Sequence, residues 1–198
     1  MVAPTLNIAL KEWSATIDAL AAGDQTFLLR KGGIREPSRH FELPHRCFLL
    51  YPTHFHEADR LLKPEFQHLV DYDASIDGHT VTFTAWAEVA DVLSVNHAEQ
   101  LEALSDLYVW TDEFVNKRIA WKPRHSADLI VIKTFKLLQP ISIPVAPHHK
   151  GCKSWVDIDS SVDIENSVPA MPNSEWEKRA VSIRILLSET SPKPVPAT

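Results

Sequence analysis

The chain reads GDQTFLLRKGGIREPSRHFELPHRCFLLYPTHFHE from Gly23 to Glu57. Two short apolar runs in it, Thr26 to Arg30 and Cys47 to Tyr51, have the composition of β-strands. The first run ends in the cationic glycine turn Arg30-Lys31-Gly32-Gly33, and the second ends in Pro52, Thr53, His54, His56 and Glu57. Cations, backbone donors and imidazoles therefore follow two strands within a short stretch. This pattern predicts a ligand site, for an anionic or nucleotide-like ligand.

Length and composition indicate one globular unit. A chain of 198 residues that is 44% hydrophobic can bury a core of its own. We expect a single α+β domain over residues 1–190. The last eight residues, SPKPVPAT (191–198), should form a disordered tail. No apolar run is long enough to span a bilayer, and the first residues lack a signal-peptide pattern. Two cysteines make no disulfide framework, so we expect a cytoplasmic protein without membrane contact.

Charge is unevenly distributed along the chain, although the formal net charge is −6. Residues 30–63 carry seven Lys or Arg and four acids, and residues 64–116 carry eleven acids and no Lys or Arg. Residues 117–153 carry eight Lys or Arg and one acid. Two basic blocks around an acidic block favour a bipolar molecule with one face attractive to phosphate. The alternative is that the blocks interleave and neutralise each other.

Periodicity predicts the remaining elements. Leu6, Leu10, Trp13, Ile17 and Leu20 step by four and three residues, which predicts an amphipathic helix ending near Gly23. The other predicted elements are a broken helix over 54–67, a strand or bent strand pair over 79–95, helices after Asn96 and Thr111, strands over 128–138 and 155–158, and a final helix through Leu187. Together they predict a small, strongly bent β-barrel of five or six strands, with helices outside it and a C-terminal helix across it.

Several motifs resemble the bacterial family DUF1802, a domain of unknown function. The resemblance covers most of the chain and rests on the motifs ALKEW (residues 9–13), LLRKGGI (28–34), FLLYPT (48–53) and GCKSW (151–155). The family name implies no activity.

A second resemblance is to PUA-like domains of the ASCH and EVE types. A helix followed by Gly23-x-Gln25-x-x-Leu28-x-Arg30 is similar to the opening of those domains, and the later strands follow the order of their barrel. The resemblance implies a PUA-like barrel. ASCH domains usually carry Lys and Glu where this chain has Gln25 and Leu28, which argues against their amidohydrolase-type chemistry here.

The first glycine turn and the histidines after the second strand are the main site candidates. Arg30 and Lys31, with the N–H groups of Gly32 and Gly33, can wrap a phosphate; a solvated turn is the alternative. His54 and His56 share a face if they lie on a strand, and Glu57 could then serve as base to a bound metal. No third ligand is evident, so we expect no metal and no cofactor, with Thr53, His54 and His56 lining a pocket.

A second cationic glycine turn follows at residues 148–153, HHKGCK. We expect Lys150 and Lys153 to lie across one pocket from the first turn. Trp155 follows that turn. It belongs to a group of candidates for stacking on a base, of which we expect at least two to be core residues instead: Trp86, Trp110, Trp121 and Trp155.

Three functions remain open. The leading hypothesis is a non-catalytic module that binds nucleic acid or a modified nucleotide. The second is a small hydrolase acting on a nucleotide-like amide, with Glu57 or His54 as general base and Lys31 polarising the leaving group. The third is a protein-interaction module that uses the acidic residues 64–116. Arg30 itself should either pair with an acid, Glu57 being the candidate, or bind the ligand.

Overall fold

The computed structural model describes residues 5–31, 43–54, 58–70, 79–121 and 125–190. Its strands are β1 (Thr5–Trp13), β2 (Phe27–Arg30), β3 (Cys47–Thr53), β4 (Thr80–Val95), β5 (Ala127–Pro144), β6 (Trp155–Asp163) and β7 (Val168–Pro169). Its α-helices are α1 (Ser14–Ala22), α2 (Ala58–Leu61), α3 (Glu99–Glu102), α4 (Asp112–Ala120) and α5 (Asn173–Thr190). Single 3₁₀ turns cover Pro64–Leu69, Ser105–Leu107 and Pro147–His149. Among these described elements, no helix combines the length and the apolar character needed to cross a membrane.

The strands form one sheet in the order β2-β5-β4-β3-β1-β6, and β7 adds to β5. β1 runs parallel to β3, with Ala9 opposite Leu49, and antiparallel to β6. β4 and β5 form a long antiparallel pair whose register shifts twice along its length. Such bulges bend and twist a sheet.

The predicted barrel is corrected by this topology, because the sheet is open and has seven strands. Over the described residues, β2 and β6 are its two edges and do not pair with each other. The cause lies in α1, which packs against β1, β3, β4 and β5. Ile17 and Leu20 of α1 join Leu28, Phe48 and other strand side chains in one buried cluster. A helix therefore fills space that a closed barrel would fill with strand side chains alone.

The predicted N-terminal helix is wrong over its first half. Residues Thr5–Trp13 are the strand β1, and helix begins only at Ser14. β1 lies between β3 and β6, where both of its faces are covered: Leu10 belongs to one core cluster and Ala9 to another. A strand buried on both faces does not alternate apolar and polar residues. Its apolar spacing was therefore compatible with a helix.

The remaining element predictions are largely confirmed. Thr111 caps α4, and its side chain accepts a hydrogen bond from the Phe114 N–H at 3.4 Å. α5 packs Ala180, Ile183 and Leu187 against the largest core cluster. This cluster lies among β2, β5 and the α-helices, so it fixes α4 beside the end of β2.

Candidate functional site

A buried ion pair joins the ends of β1 and β2. Arg30 Nη1 lies 3.1 Å from Glu12 Oε2, and it also donates to the Lys11 carbonyl oxygen at 3.1 Å. The side chains are only 13% and 8% exposed. Arg30 is thus paired with an acid, as one of the two sequence hypotheses required. The partner among the described residues is Glu12, and the sequence candidate Glu57 lies outside them.

The backbone around Glu12 holds its carboxylate in place. Glu12 Oε1 accepts a hydrogen bond from the Trp13 N–H at 2.8 Å, so each carboxylate oxygen has a donor. The Thr53 hydroxyl donates to the Glu12 carbonyl oxygen at 2.9 Å, which ties the end of β3 to β1. Three strand ends therefore meet at one place.

The second half of α4 covers this meeting point. The Arg118 guanidinium lies over the Phe114 ring, 5.1 Å from its centroid. Burial lowers the pKa of Arg118, Glu12 raises it and Arg30 lowers it, so the two guanidiniums act on each other through space. Among the described residues, the Arg118 guanidinium has no hydrogen bond and no ion pair.

These elements line an open pocket of about 580 Å³, which we name the arginine pocket. Its walls are formed by Lys11, Glu12, Trp13, Arg30, Thr53, Leu61, Phe114, Lys117, Arg118 and Trp121. Among the described residues, four cationic side chains and one carboxylate line the pocket, a formal balance of +3 in a chain of net charge −6. Lys117 is compensated by Glu113 at 2.7 Å, and the Lys11 amine donates to the Gly151 carbonyl oxygen at 2.9 Å. A cavity of this size accommodates a small organic ligand.

The pocket also has an aromatic wall. Trp13, Phe114 and Trp121 line it, and the ring centroids of Trp13 and Phe114 lie 6.1 Å apart. Trp13 is 7% exposed, whereas Trp121 is 38% exposed. Trp121 therefore offers the accessible aromatic surface for a planar group.

The structure brings together some of the sequence-predicted site residues. Arg30 and Thr53 line the arginine pocket, whereas His54 is exposed and does not. The Lys31 amine is buried and donates to the Ile119 carbonyl oxygen at the end of α4; burial lowers its pKa. The remaining candidates of this segment lie outside the described residues: Gly32, Gly33, His56 and Glu57.

The second glycine turn lies beside the pocket, although it does not line it. Its Gly151 carbonyl receives the Lys11 amine, and Lys150 and Lys153 are exposed. Gly151 has φ +93, so the turn requires a residue that tolerates left-handed backbone. Trp155 packs edge-on against Phe48 at 5.1 Å and is partly buried. The prediction that both turns face one cleft stays a prediction.

The tryptophan prediction is confirmed in its general form. Trp86 and Trp110 are core residues, 4% and 2% exposed. Trp86 stacks on Phe135 at 4.2 Å, and the Trp110 indole N–H donates to the Thr16 hydroxyl at 2.9 Å.

Sequence reasoning named Trp121 as a stacking candidate but missed the rest of the α4 side of the pocket. Phe114, Lys117 and Arg118 precede Trp121 with the spacing i, i+3, i+4 and i+7, which is that of one face of a helix. That spacing, in a helix whose Thr111 cap was recognised, was the signal that could have identified them. Glu12 had no comparable signal, since its partner lies in another strand.

A cluster of possible metal ligands lies at the second turn. Ligand atoms of His148, His149 and Asp159 lie within 4.8 Å of one another. His149 Nδ1, however, accepts a hydrogen bond from the Ala146 N–H at 3.0 Å. A neutral imidazole whose Nδ1 accepts must carry its proton on Nε2, and a protonated nitrogen cannot ligate a metal. The geometry therefore favours a structural histidine here.

The fold and the pocket define a mixed α+β protein, dominated by its sheet, with a cationic pocket walled by aromatic rings. The family described as "Domain of unknown function (DUF1802)" matches residues 9–182. The chain belongs to this family, which confirms the sequence resemblance.

Solved structures of ASCH proteins from Zymomonas mobilis are similar to the chain. The ASCH structure has 12% sequence identity and a TM-score of 0.40, covering 88% of this chain and 93% of that chain. A serine-to-alanine variant has 11% identity and a TM-score of 0.43, covering 89% and 94%. No curated protein matches the chain.

Proposed function

We propose that this protein is a binding module for a nucleotide-like anion, with the phosphate in the arginine pocket and the base against Trp121. The observation that carries the proposal is Arg118, whose partly buried guanidinium has no hydrogen-bond partner among the described residues. Burying a cation without a partner costs free energy. An anionic ligand would supply the missing hydrogen bonds.

The second guanidinium makes phosphate a suitable ligand. Arg30 is held in place by Glu12 and the Lys11 carbonyl, so its guanidinium lines the pocket in a fixed orientation. Planar guanidiniums recognise phosphate through two parallel hydrogen bonds. With Lys11 and Arg118, the pocket keeps an excess of positive charge after the Glu12 carboxylate is neutralised.

Binding is better supported than hydrolysis. Both oxygens of Glu12, the carboxylate of the pocket, already accept hydrogen bonds that orient them towards Arg30 and the Trp13 N–H. Two of the groups assigned to a hydrolase, His54 and Lys31, do not line the pocket. A general base must lie within hydrogen-bond reach of the proton it removes.

Isothermal titration with AMP, GMP, CMP and UMP at low salt tests the proposal. The wild-type protein should bind at least one of them, and Arg118→Gln should weaken that binding by about 1.5–3 kcal/mol, the range for hydrogen bonds to charged groups. Arg184→Gln is the matched control, because Arg184 lies on α5 and pairs with Asp91 at 2.6 Å. Equal affinity of Arg118→Gln and wild type, or no binding of any nucleotide, would contradict the proposal.

A further inference from the structure

The turn over residues 150–153, which we name the lysine turn, continues the positive charge beyond the arginine pocket. Its Gly151 carbonyl accepts the Lys11 amine at 2.9 Å, and the Lys11 N–H donates to the Ser154 carbonyl at 2.8 Å. Lys11 itself lines the pocket. The turn is therefore fixed to the pocket wall through one residue of β1.

Lys150 and Lys153 project from the lysine turn as exposed side chains. Among the described residues, neither makes a hydrogen bond or an ion pair. The charge on Lys153 lowers the pKa of Lys11, after burial itself, so these two amines lie close enough to repel each other. Exposed positive charges that lie beside a cationic pocket and have no counter-charge attract a polyanion.

Asp159, an acidic residue of β6, contacts the histidine that precedes Lys150 and His149 in the chain. Asp159 lies 3.5 Å from His148 Nε2, and the same nitrogen contacts the Asp157 carbonyl oxygen at 3.1 Å. Asp159 is thus turned towards His148 and not towards the lysines.

We infer that the ligand is a single-stranded nucleic acid, of which one nucleotide enters the arginine pocket and an adjoining phosphate lies on Lys150 and Lys153. This inference rests on the proposed function. Lys150 and Lys153 do not line the pocket, so a mononucleotide held within it leaves them uncontacted. A strand that continues from the pocket past Lys11 meets both of them. Contacts of this kind are independent of sequence and depend steeply on salt.

The test compares labelled 12-nucleotide RNA and DNA strands of mixed sequence with the four nucleoside monophosphates. The double variant Lys150→Gln/Lys153→Gln should weaken binding of the 12-mer on the order of tenfold at low salt. The slope of log K against log salt should fall in magnitude by about 1.4, the value for two contacts on a single strand. Mononucleotide affinity should not change.

Lys136→Gln/Lys178→Gln is the matched control, since it removes the same charge from two exposed lysines outside the pocket and the turn. The control should retain both the 12-mer affinity and the salt slope. The RNA and DNA strands then show which sugar the site accepts.

The possible failures are distinguishable. If mononucleotides bind but the 12-mer binds no more tightly, or if the Lys150→Gln/Lys153→Gln variant equals its control, the inference fails and the proposed function stands. If the 12-mer depends on the lysine turn but not on Arg118, the pocket is not the nucleotide site and the inference as stated is overturned. If neither class of ligand binds, both fail.

Discussion

Glu12→Gln should move stability and anion binding in opposite directions. The substitution preserves the shape of the side chain but replaces one carboxylate oxygen by an NH₂ group. Glu12 Oε1 and Oε2 now receive the Trp13 N–H at 2.8 Å and Arg30 Nη1 at 3.1 Å. One of these donors would face another donor. At 8% exposure of the Glu12 side chain, water cannot replace the lost bond.

The expected loss of unfolding free energy is about 3 kcal/mol. Breaking one partner of a buried pair costs roughly 3–5 kcal/mol, and glutamine recovers part of this through its remaining carbonyl oxygen. Glu12 is also the carboxylate that lines the pocket among the described residues, so the substitution removes one negative charge from between Arg30 and Arg118. The formal net charge of the pocket becomes more positive by one, so AMP should bind several-fold more tightly.

Urea unfolding and AMP titration on the same preparations measure both quantities. Glu88→Gln is the control, because Glu88 pairs with Arg46 at 3.4 Å and the Arg46 side chain is 75% exposed. An exposed pair is worth no more than about 1 kcal/mol. If Glu12→Gln costs no more than this control, the Arg30 pair is not desolvated. If AMP binds more weakly to Glu12→Gln, Glu12 contacts the ligand and the charge argument is refuted.

Two further results are expected, on other residues. Lys31→Met should destabilise the fold by about 1–2 kcal/mol, because the Lys31 amine donates a hydrogen bond to the Ile119 carbonyl at the end of α4. If the variant keeps its stability but loses as much AMP affinity as Arg118→Gln, Lys31 contacts the ligand and this prediction is wrong. Burial, Asp112 and Glu102 raise the pKa of Tyr108 to about 12. The native state therefore keeps a proton that the unfolded state loses above its ordinary pKa of 10, and stability should fall with rising pH between about 10 and 12. Unfolding melts of Tyr108→Phe should show a smaller fall in stability over this pH range than the wild type shows. Identical pH profiles of the variant and the wild type would contradict this.

Elements determined by local signals could be predicted from the sequence. α4 has its Thr111 cap and acidic first turn, and α5 has a regular apolar step that ends at Leu187. Both signals act within a few residues, so they survive in any tertiary context. β1 could not be predicted in this way, because its conformation depends on pairing with β3 and β6 on either side.

The ion-pair partner of Arg30 could not be predicted from neighbouring residues either, because it also depends on how the strands are placed in the fold. Glu57 was the nearest candidate in sequence to follow β3, but the observed partner, Glu12, precedes Arg30 by 18 positions. The two carboxylates are chemically equivalent, so residue type could not choose between them. β1 and β2 are not neighbours in the sheet, so only the tertiary fold brings Glu12 to the end of β2.

Arg30 and Lys31 are adjacent in the sequence, but their side chains make different contacts in the structure. Arg30 and Lys31 were predicted to contact one phosphate because they are adjacent cations. Adjacent residues of an extended chain point to opposite sides, and the structure follows this rule: Arg30 lines the pocket, while the Lys31 amine goes to the Ile119 carbonyl. Lys31 thereby ties α4, which carries Arg118, to the strand end that carries Arg30. The two cations act on the same site, one as a candidate ligand contact and the other as the support for its opposite wall.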